Sequence, residues 1–215
     1  MDPLKGIGVV NKPELSVTVF SDYICPFCYV GSARLRSLQK DFDMCVNWAF
    51  MEIHPDNPTA GRPVEELGYP PEQWRQMMAN LKQMAIEEGL LIVERTFTTN
   101  SHKALLLAEA AKEVSSKVFY RLHDRLFEAY LGEGQNIGDE NVLHMLARQA
   151  NVPEDTVARA WQEQRYEQRL QSNLAMAGQL GVTGTPAFVF GKRTLMGAVP
   201  TTVLRDAAAH AIKTA

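Results

Sequence analysis

The run Leu15-Ser16-Val17-Thr18-Val19-Phe20-Ser21-Asp22-Tyr23-Ile24-Cys25-Pro26-Phe27-Cys28 joins two signals end to end. Its first half is rich in β-branched and aromatic residues, which pack well on a pleated surface, and reads as a buried strand over residues 15–21. Its second half is a Cys-x-x-Cys. From Pro26 to about Lys40 the apolar residues Val30, Ala33, Leu35 and Leu38 recur at helical spacing. Met44 to Ile53 is a second apolar strand. Strand, helix and strand in this order make a βαβ unit, so the two strands are expected to be parallel.

The pattern changes beyond this unit. Asp56-Asn57-Pro58-Thr59-Ala60-Gly61-Arg62-Pro63 reads as a loop. From Pro71 to about Leu180 helices dominate. Pro71 suits a first helical turn, and Gly89 suits a helix stop. Asn100 or Ser101 caps a helix running to about Val114. Ser115 or Ser116 caps another, ending near Gly132 and Gly134. Asp139 starts a helix that closes at Asn151. Pro153-Glu154-Asp155 opens the next helical stretch, and Gly181 closes the last. Strand character returns at Ala187–Phe190, turns at Gly191-Lys192 and runs back over Arg193–Met196 as a hairpin. Pro200-Thr201-Thr202 opens a final helix to about Lys213. The order is therefore βαβ, a long helical block, then ββα.

This order gives the cysteines their meaning. With Pro26 as the first helical residue, Cys25 is the N-cap and Cys28 the third helical position. Unpaired N–H groups and the helix dipole at that end favour a thiolate on Cys25. Cys28 is shielded by the helix and acts second. Cys25 attacks a disulfide, and Cys28 resolves the mixed disulfide. A zinc site would need two further ligands at comparable spacing. Cys45 and the scattered His54, His102, His123, His144 and His210 offer no such pair, so no metal is expected.

Composition narrows the function classes. Of 215 residues 46% are hydrophobic and 22% charged, ordinary for a globular protein. A net charge of −3 provides no broad field for nucleic acid or anionic lipid. No run approaches the ~18 apolar residues of a membrane span. Residues 1–14 lack a secretory apolar region, and three cysteines make no disulfide scaffold, so a cytoplasmic address is expected.

The segment Ser21–Gly31, with its CPFC core, resembles the active-site segment of the DsbA superfamily, in particular its FrnE-like branch. Gly181-Val182-Thr183-Gly184-Thr185-Pro186-Ala187-Phe188-Val189-Phe190, followed by Gly197-Ala198, is similar to that branch's cis-proline strand and hairpin. The resemblance spans residues 15–212. It implies an α/β thioredoxin fold, with residues 1–56 and 181–215 as the thioredoxin-like domain and 57–180 as an all-helical insertion. It also implies thiol–disulfide oxidoreductase activity: Cys25 as nucleophile, Cys28 as resolving thiol, and a cis Pro186 beside the sulfurs. Thr185, Pro26 and Phe27 would contact substrate. The partners implied are protein or small-molecule thiols and disulfides. No cofactor is required, with glutathione as a co-substrate under the rival described next.

The same superfamily contains kappa-class glutathione transferases and 2-hydroxychromene-2-carboxylate isomerases. They bind glutathione and usually carry serine at the position of Cys25, so two retained cysteines favour redox chemistry. A glutathione-dependent transferase or isomerase is the enzymatic rival. A redox-sensing, chaperone-like binding module is the other. Two departures bear on the reduction potential: Phe27 stands where periplasmic DsbA proteins have histidine, and Thr185 where many relatives have an aliphatic residue.

Other residues have plainer readings. Cys45, among Met44, Val46 and Trp48, is expected to be a buried small hydrophobe. Asp22 is expected to be a turn residue, with a proton relay near the sulfurs as the alternative. Relatives that bind glutathione use polar residues near Thr98–His102, yet helix capping accounts for Asn100 and Ser101. Trp74, Met77, Met78 and Met84 are expected in the core, with a peptide-accommodating face as the alternative.

Overall fold

The computed structural model describes residues 12–214. β1 (Glu14–Ser21) leads through a short loop to α1 (Pro26–Ser37) and β2 (Asp43–Phe50). β1 and β2 are parallel and in register from Glu14↔Asp43 to Ser21↔Phe50, as a helical crossover demands. At the far end of the chain β5 (Ala187–Phe190) pairs antiparallel with β1, and β6 (Arg193–Met196) pairs with β5. The sheet order is β2-β1-β5-β6. Leu15, Val17 and Val19 are buried while Glu14 and Ser16 are exposed, so the first half of β1 alternates as a half-buried strand should. α8 (Thr201–Thr214) packs beside α1 against β1, β5 and β6.

Between β2 and β5 lie β3 (Arg62–Pro63), α2 (Pro71–Glu87), β4 (Phe97–Thr98), α3 (His102–Val114), α4 (Ser116–Phe127), α5 (Glu140–Gln149), α6 (Glu154–Gln162) and α7 (Gln164–Gln179). The inserted segment departs from all-helical at β3 and β4, which pair antiparallel over two residues. Most of the expected boundaries fall close to the observed ones. The Ser115 hydroxyl accepts from Val118 N and the Asp139 carboxylate from Asn141 N, each satisfying an orphan donor of a helix start. α4 continues as a π-helical turn over Glu128–Gly132, and Gly134 follows at φ 69°. The stretch from Pro153 to Gly181 is two helices, because Glu163 is extended (φ −88°, ψ 118°) and breaks the ladder.

One apolar cluster runs through both parts of the chain. Val19, Trp48 and Phe50 of the sheet share it with Leu105, Phe119, Leu122 and Leu143 of the insertion. His123 of α4 sits at this seam, fully buried. Its Nδ1 lies 3.0 Å from the Tyr23 hydroxyl and its Nε2 3.1 Å from Ser32 Oγ. Both ring nitrogens are thereby satisfied across the seam. The ring is packed against Trp48, with centroids 4.2 Å apart. Burial pushes the His123 imidazole down to about 3, so it is neutral.

Cys45 corrects an expectation. It is exposed, because β2 is the sheet edge and its first five residues alternate: Asp43, Cys45 and Asn47 face solvent while Met44 and Val46 are half-buried.

Candidate active site

The loop between β1 and α1 is shaped by Asp22. Cys25 N donates to Asp22 O at 3.2 Å, and Ile24 N donates to Asp22 Oδ1 at 3.2 Å. The chain then enters α1 with Cys25 extended (φ −82°, ψ 111°) at the N-cap and Pro26 in the first turn. Proline costs nothing there, since its missing N–H would have no helical partner. The Cys25 side chain makes no capping hydrogen bond, and Cys28 N closes the first turn on Cys25 O at 3.0 Å.

The two thiols are free and differ in exposure, 5% for Cys25 and 1% for Cys28. They differ in acidity as well. A hydrogen bond from the Cys28 thiol lowers the Cys25 pKa; burial opposes it, and the Thr185 hydroxyl and the Cys28 N–H assist. Cys28 is pushed well above the ordinary thiol range by burial and by its bond to Cys25. Of the two sulfurs the outer one is the easier to ionise, and the inner one holds its proton more strongly.

The cis-proline strand completes the site. The Thr185–Pro186 bond is cis. The Cys25 thiol donates to Thr185 O at 3.4 Å. The Thr185 hydroxyl is buried and has no partner among the described residues in this dithiol form, which leaves it available to the sulfur once Cys25 ionises. Gly31 lets α1 approach this strand. A Cβ at Gly31 would lie 3.2 Å from Pro186 Cγ and 3.0 Å from Phe188 Cζ.

Cys25 opens onto a cavity of about 400 Å³. Pro26, Phe27 and Thr185 line it beside the sulfur, Met51–His54 form one wall, and Tyr69, Trp74, Met77, Met78 and Arg95 come from the insertion. Trp74 and Met77 are therefore pocket residues rather than core, while Met78 lines the pocket and also packs against the Val30–Leu81 cluster. Met84 packs near Val30 and Leu81. The Met51–His54 wall and Arg95 escaped sequence reasoning. Nothing local marks them, since they come together only through the turn after β2 and the extended segment after α2. His54 is held below its usual pKa by burial and by Arg62 and Arg95. The Thr98–His102 stretch braces the wall from behind, with His102 Nδ1 3.0 Å from Glu52 Oε2, and orders its own neighbourhood. Asn57 Nδ2 donates to Thr98 Oγ1 at 3.0 Å, and His102 N donates to Asn100 Oδ1 at 2.9 Å.

The family model of the DSBA-like thioredoxin domain matches residues 16–209. The chain belongs to this family. It is 27% identical over 194 residues to the uncharacterized protein YwbO of Bacillus subtilis (strain 168), covering 89% of this chain and 94% of that one. A probable DsbA oxidoreductase from Streptomyces coelicolor has a similar structure, with TM-score 0.83 and 26% identity over 94% of this chain and 91% of that one. A 2-hydroxychromene-2-carboxylate isomerase shares the fold at TM-score 0.74 and 16% identity, over 93% of this chain and 97% of the other. The DsbA-like fold with its paired cysteines marks an oxidoreductase or isomerase class. No helix among the described residues is long and apolar enough to cross a membrane.

Proposed function

We propose that this protein is a thiol–disulfide oxidoreductase of the FrnE-like kind, working through a Cys25 mixed disulfide resolved by Cys28. The observation that carries this reading is the asymmetry of the pair: an outer thiol of lowered pKa at a helix N-terminus, and an inner, more buried thiol of raised pKa that donates to it.

The Cys25 thiolate attacks one sulfur of a substrate disulfide. The Cys25–substrate S–S bond forms, the substrate S–S bond breaks, and the departing thiolate takes a proton from solvent. Cys28 then gives up its proton and attacks Cys25 Sγ. The Cys25–Cys28 disulfide forms, and the second substrate thiolate leaves. The substrate gains two electrons and the protein loses two; the oxidising direction is the reverse. The Thr185 hydroxyl donates to the Cys25 thiolate, and the Thr185 backbone at the pocket rim pairs with an extended substrate segment. Pro26 and Phe27 supply apolar contact beside the sulfur. The substrates are protein or small-molecule disulfides and dithiols, and the chemistry needs no cofactor. The paucity of cysteines fits a reducing compartment such as the cytoplasm.

The test is capture. Cys28→Ala removes the resolving thiol, so adducts on Cys25 should accumulate in cells, appear on non-reducing gels and vanish on reduction. Adducts of glutathione alone would favour the transferase or isomerase rival. No adducts, with holdase activity surviving loss of both cysteines, would favour a binding module.

A further inference from the structure

Asp22 is fully buried, yet it does more than shape its own loop. Its Oδ1 accepts from Ile24 N at 3.2 Å, and its Oδ2 accepts from Ile53 N at 2.9 Å. The second bond is long-range and has a topological cause. The β1–β2 ladder ends where Met51 N donates to Ser21 O at 3.1 Å. Beyond this point β1 turns away into the cysteine loop and leaves no strand carbonyl for the next inward N–H of the neighbouring segment. The Asp22 carboxylate takes that carbonyl's place. The buried Ser101 hydroxyl, at the N-cap of α3, bonds to the same carboxylate. One side chain thus joins the loop carrying Cys25, the pocket wall Met51–His54 and the first turn of the insertion's central helix.

We infer that Asp22 is a positioning residue for disulfide exchange, its carboxylate fastening the Met51–His54 wall of the substrate pocket at a fixed distance from Cys25. This rests on the oxidoreductase reading. A neutral turn residue would shape the loop at lower cost, because a buried charge loses its hydration. An ionised carboxylate presents a full acceptor oxygen to each of the two N–H groups at once, with no donor to conflict with either. An asparagine at this place would turn its NH₂ toward one of them.

The surroundings make the fastening pH-sensitive. Burial pushes the Asp22 carboxyl up to about 6, with Glu52 adding to the rise and the N–H groups of Ile53 and Ile24 opposing it. The other titratable groups nearby are Cys25 and Cys28 on α1, His54 on the wall, and His102 on α3, whose nitrogens lie 3.0 Å from Glu52 and 3.0 Å from Glu167. Lowering the pH protonates Asp22, removes an acceptor and loosens the wall.

The experiment has two arms. In a Cys25→Ser/Cys28→Ser background, which removes the sulfur titrations, the ¹⁵N–¹H signals of Ile24 and Ile53 should titrate together with a midpoint near 6. Independent midpoints for the two amides, or Ile24 and Ile53 signals that stay put in Asp22→Asn, would overturn the inference whatever the disulfide assays do. In the second arm wild type and Asp22→Asn are assayed on a peptide disulfide and on 2-hydroxyethyl disulfide. The penalty on the peptide should exceed that on the small disulfide by about tenfold and appear in KM, the scale of one lost charge-assisted hydrogen bond. Equal penalties on both would overturn it. Wild type inactive on both disulfides would sink the oxidoreductase reading instead, and the amide arm would still judge whether Asp22 ties the wall.

Discussion

The Cys25 thiol donates to the carbonyl of Thr185 at 3.4 Å, a contact between residues 160 apart in the chain. It holds the outer cysteine of one end of the chain against the cis-proline segment of the other. It also sets the Thr185 hydroxyl, buried and with no other partner among the described residues, within reach of the same sulfur.

Thr185→Val should therefore raise the Cys25 pKa, because it removes a donor to the thiolate. The measurement is the rate of alkylation against pH. It belongs in a Cys45→Ser background, because Cys45 is exposed and would react as well. Cys25 should be modified first and Cys28 last. An unchanged profile in Thr185→Val would remove the hydroxyl from the account.

Phe27 carries neither charge nor a strong donor beside the sulfur. A histidine there, when charged, would stabilise the thiolate and so the reduced form. Phe27→His should lower the Cys25 pKa and raise the reduction potential, with ~30 mV for each ~1.4 kcal/mol of preference. Equilibration with glutathione buffers at fixed pH reads it. A potential that stays put would shift the weight to the helix terminus and Thr185.

Acid stability should show two opposed groups. His123 is depressed to about 3 when folded, against an ordinary 6.5. Its contribution is full above pH 6.5 and is lost as the pH falls, because the unfolded state takes up the proton first; by pH 5 the loss is about 2 kcal/mol. Asp22 is raised from 3.8 to about 6, so the folded state takes up its proton first and gains stability as the pH falls through 6, about 1 kcal/mol by pH 5. Between pH 7.5 and 5 wild type should lose about 1 kcal/mol net, and Asp22→Asn about twice that. Urea unfolding at the two pH values measures both. An Asp22→Asn curve parallel to wild type would mean that Asp22 does not titrate in this window.

Gly31 is a helical glycine that should resist replacement. Alanine usually stabilises a helix interior by about 1 kcal/mol over glycine. Here the added Cβ would meet Phe188 Cζ at 3.0 Å and Pro186 Cγ at 3.2 Å. Gly31→Ala should destabilise by about 1–3 kcal/mol, as overpacking does, and should slow disulfide exchange by displacing Pro186. A variant as stable as wild type would show that the strand yields without cost.

Much of this protein is legible in its sequence, because the deciding signals are local. A β-branched run, a proline one residue past Cys25, serine and aspartate caps at Ser115 and Asp139, and a Gly191 turn act over a few residues and need no distant partner. The element order follows from them, and with it the placement of Cys25 at a helix N-terminus. Tertiary structure decided the rest. Cys45 lies among apolar neighbours in sequence, yet it is exposed because β2 became the sheet edge with that side uncovered. His123 looks like any helical histidine until Tyr23 and Ser32 meet its two nitrogens across the seam. Asp22 looks like a turn residue until the ladder ends beside it and leaves Ile53 N to be satisfied. Trp74 and Met77 read from sequence as core residues, and only the tertiary structure set them, with Met78, along the pocket. In each case the residue's role depends on which distant group reaches it, and local pattern carries no record of that.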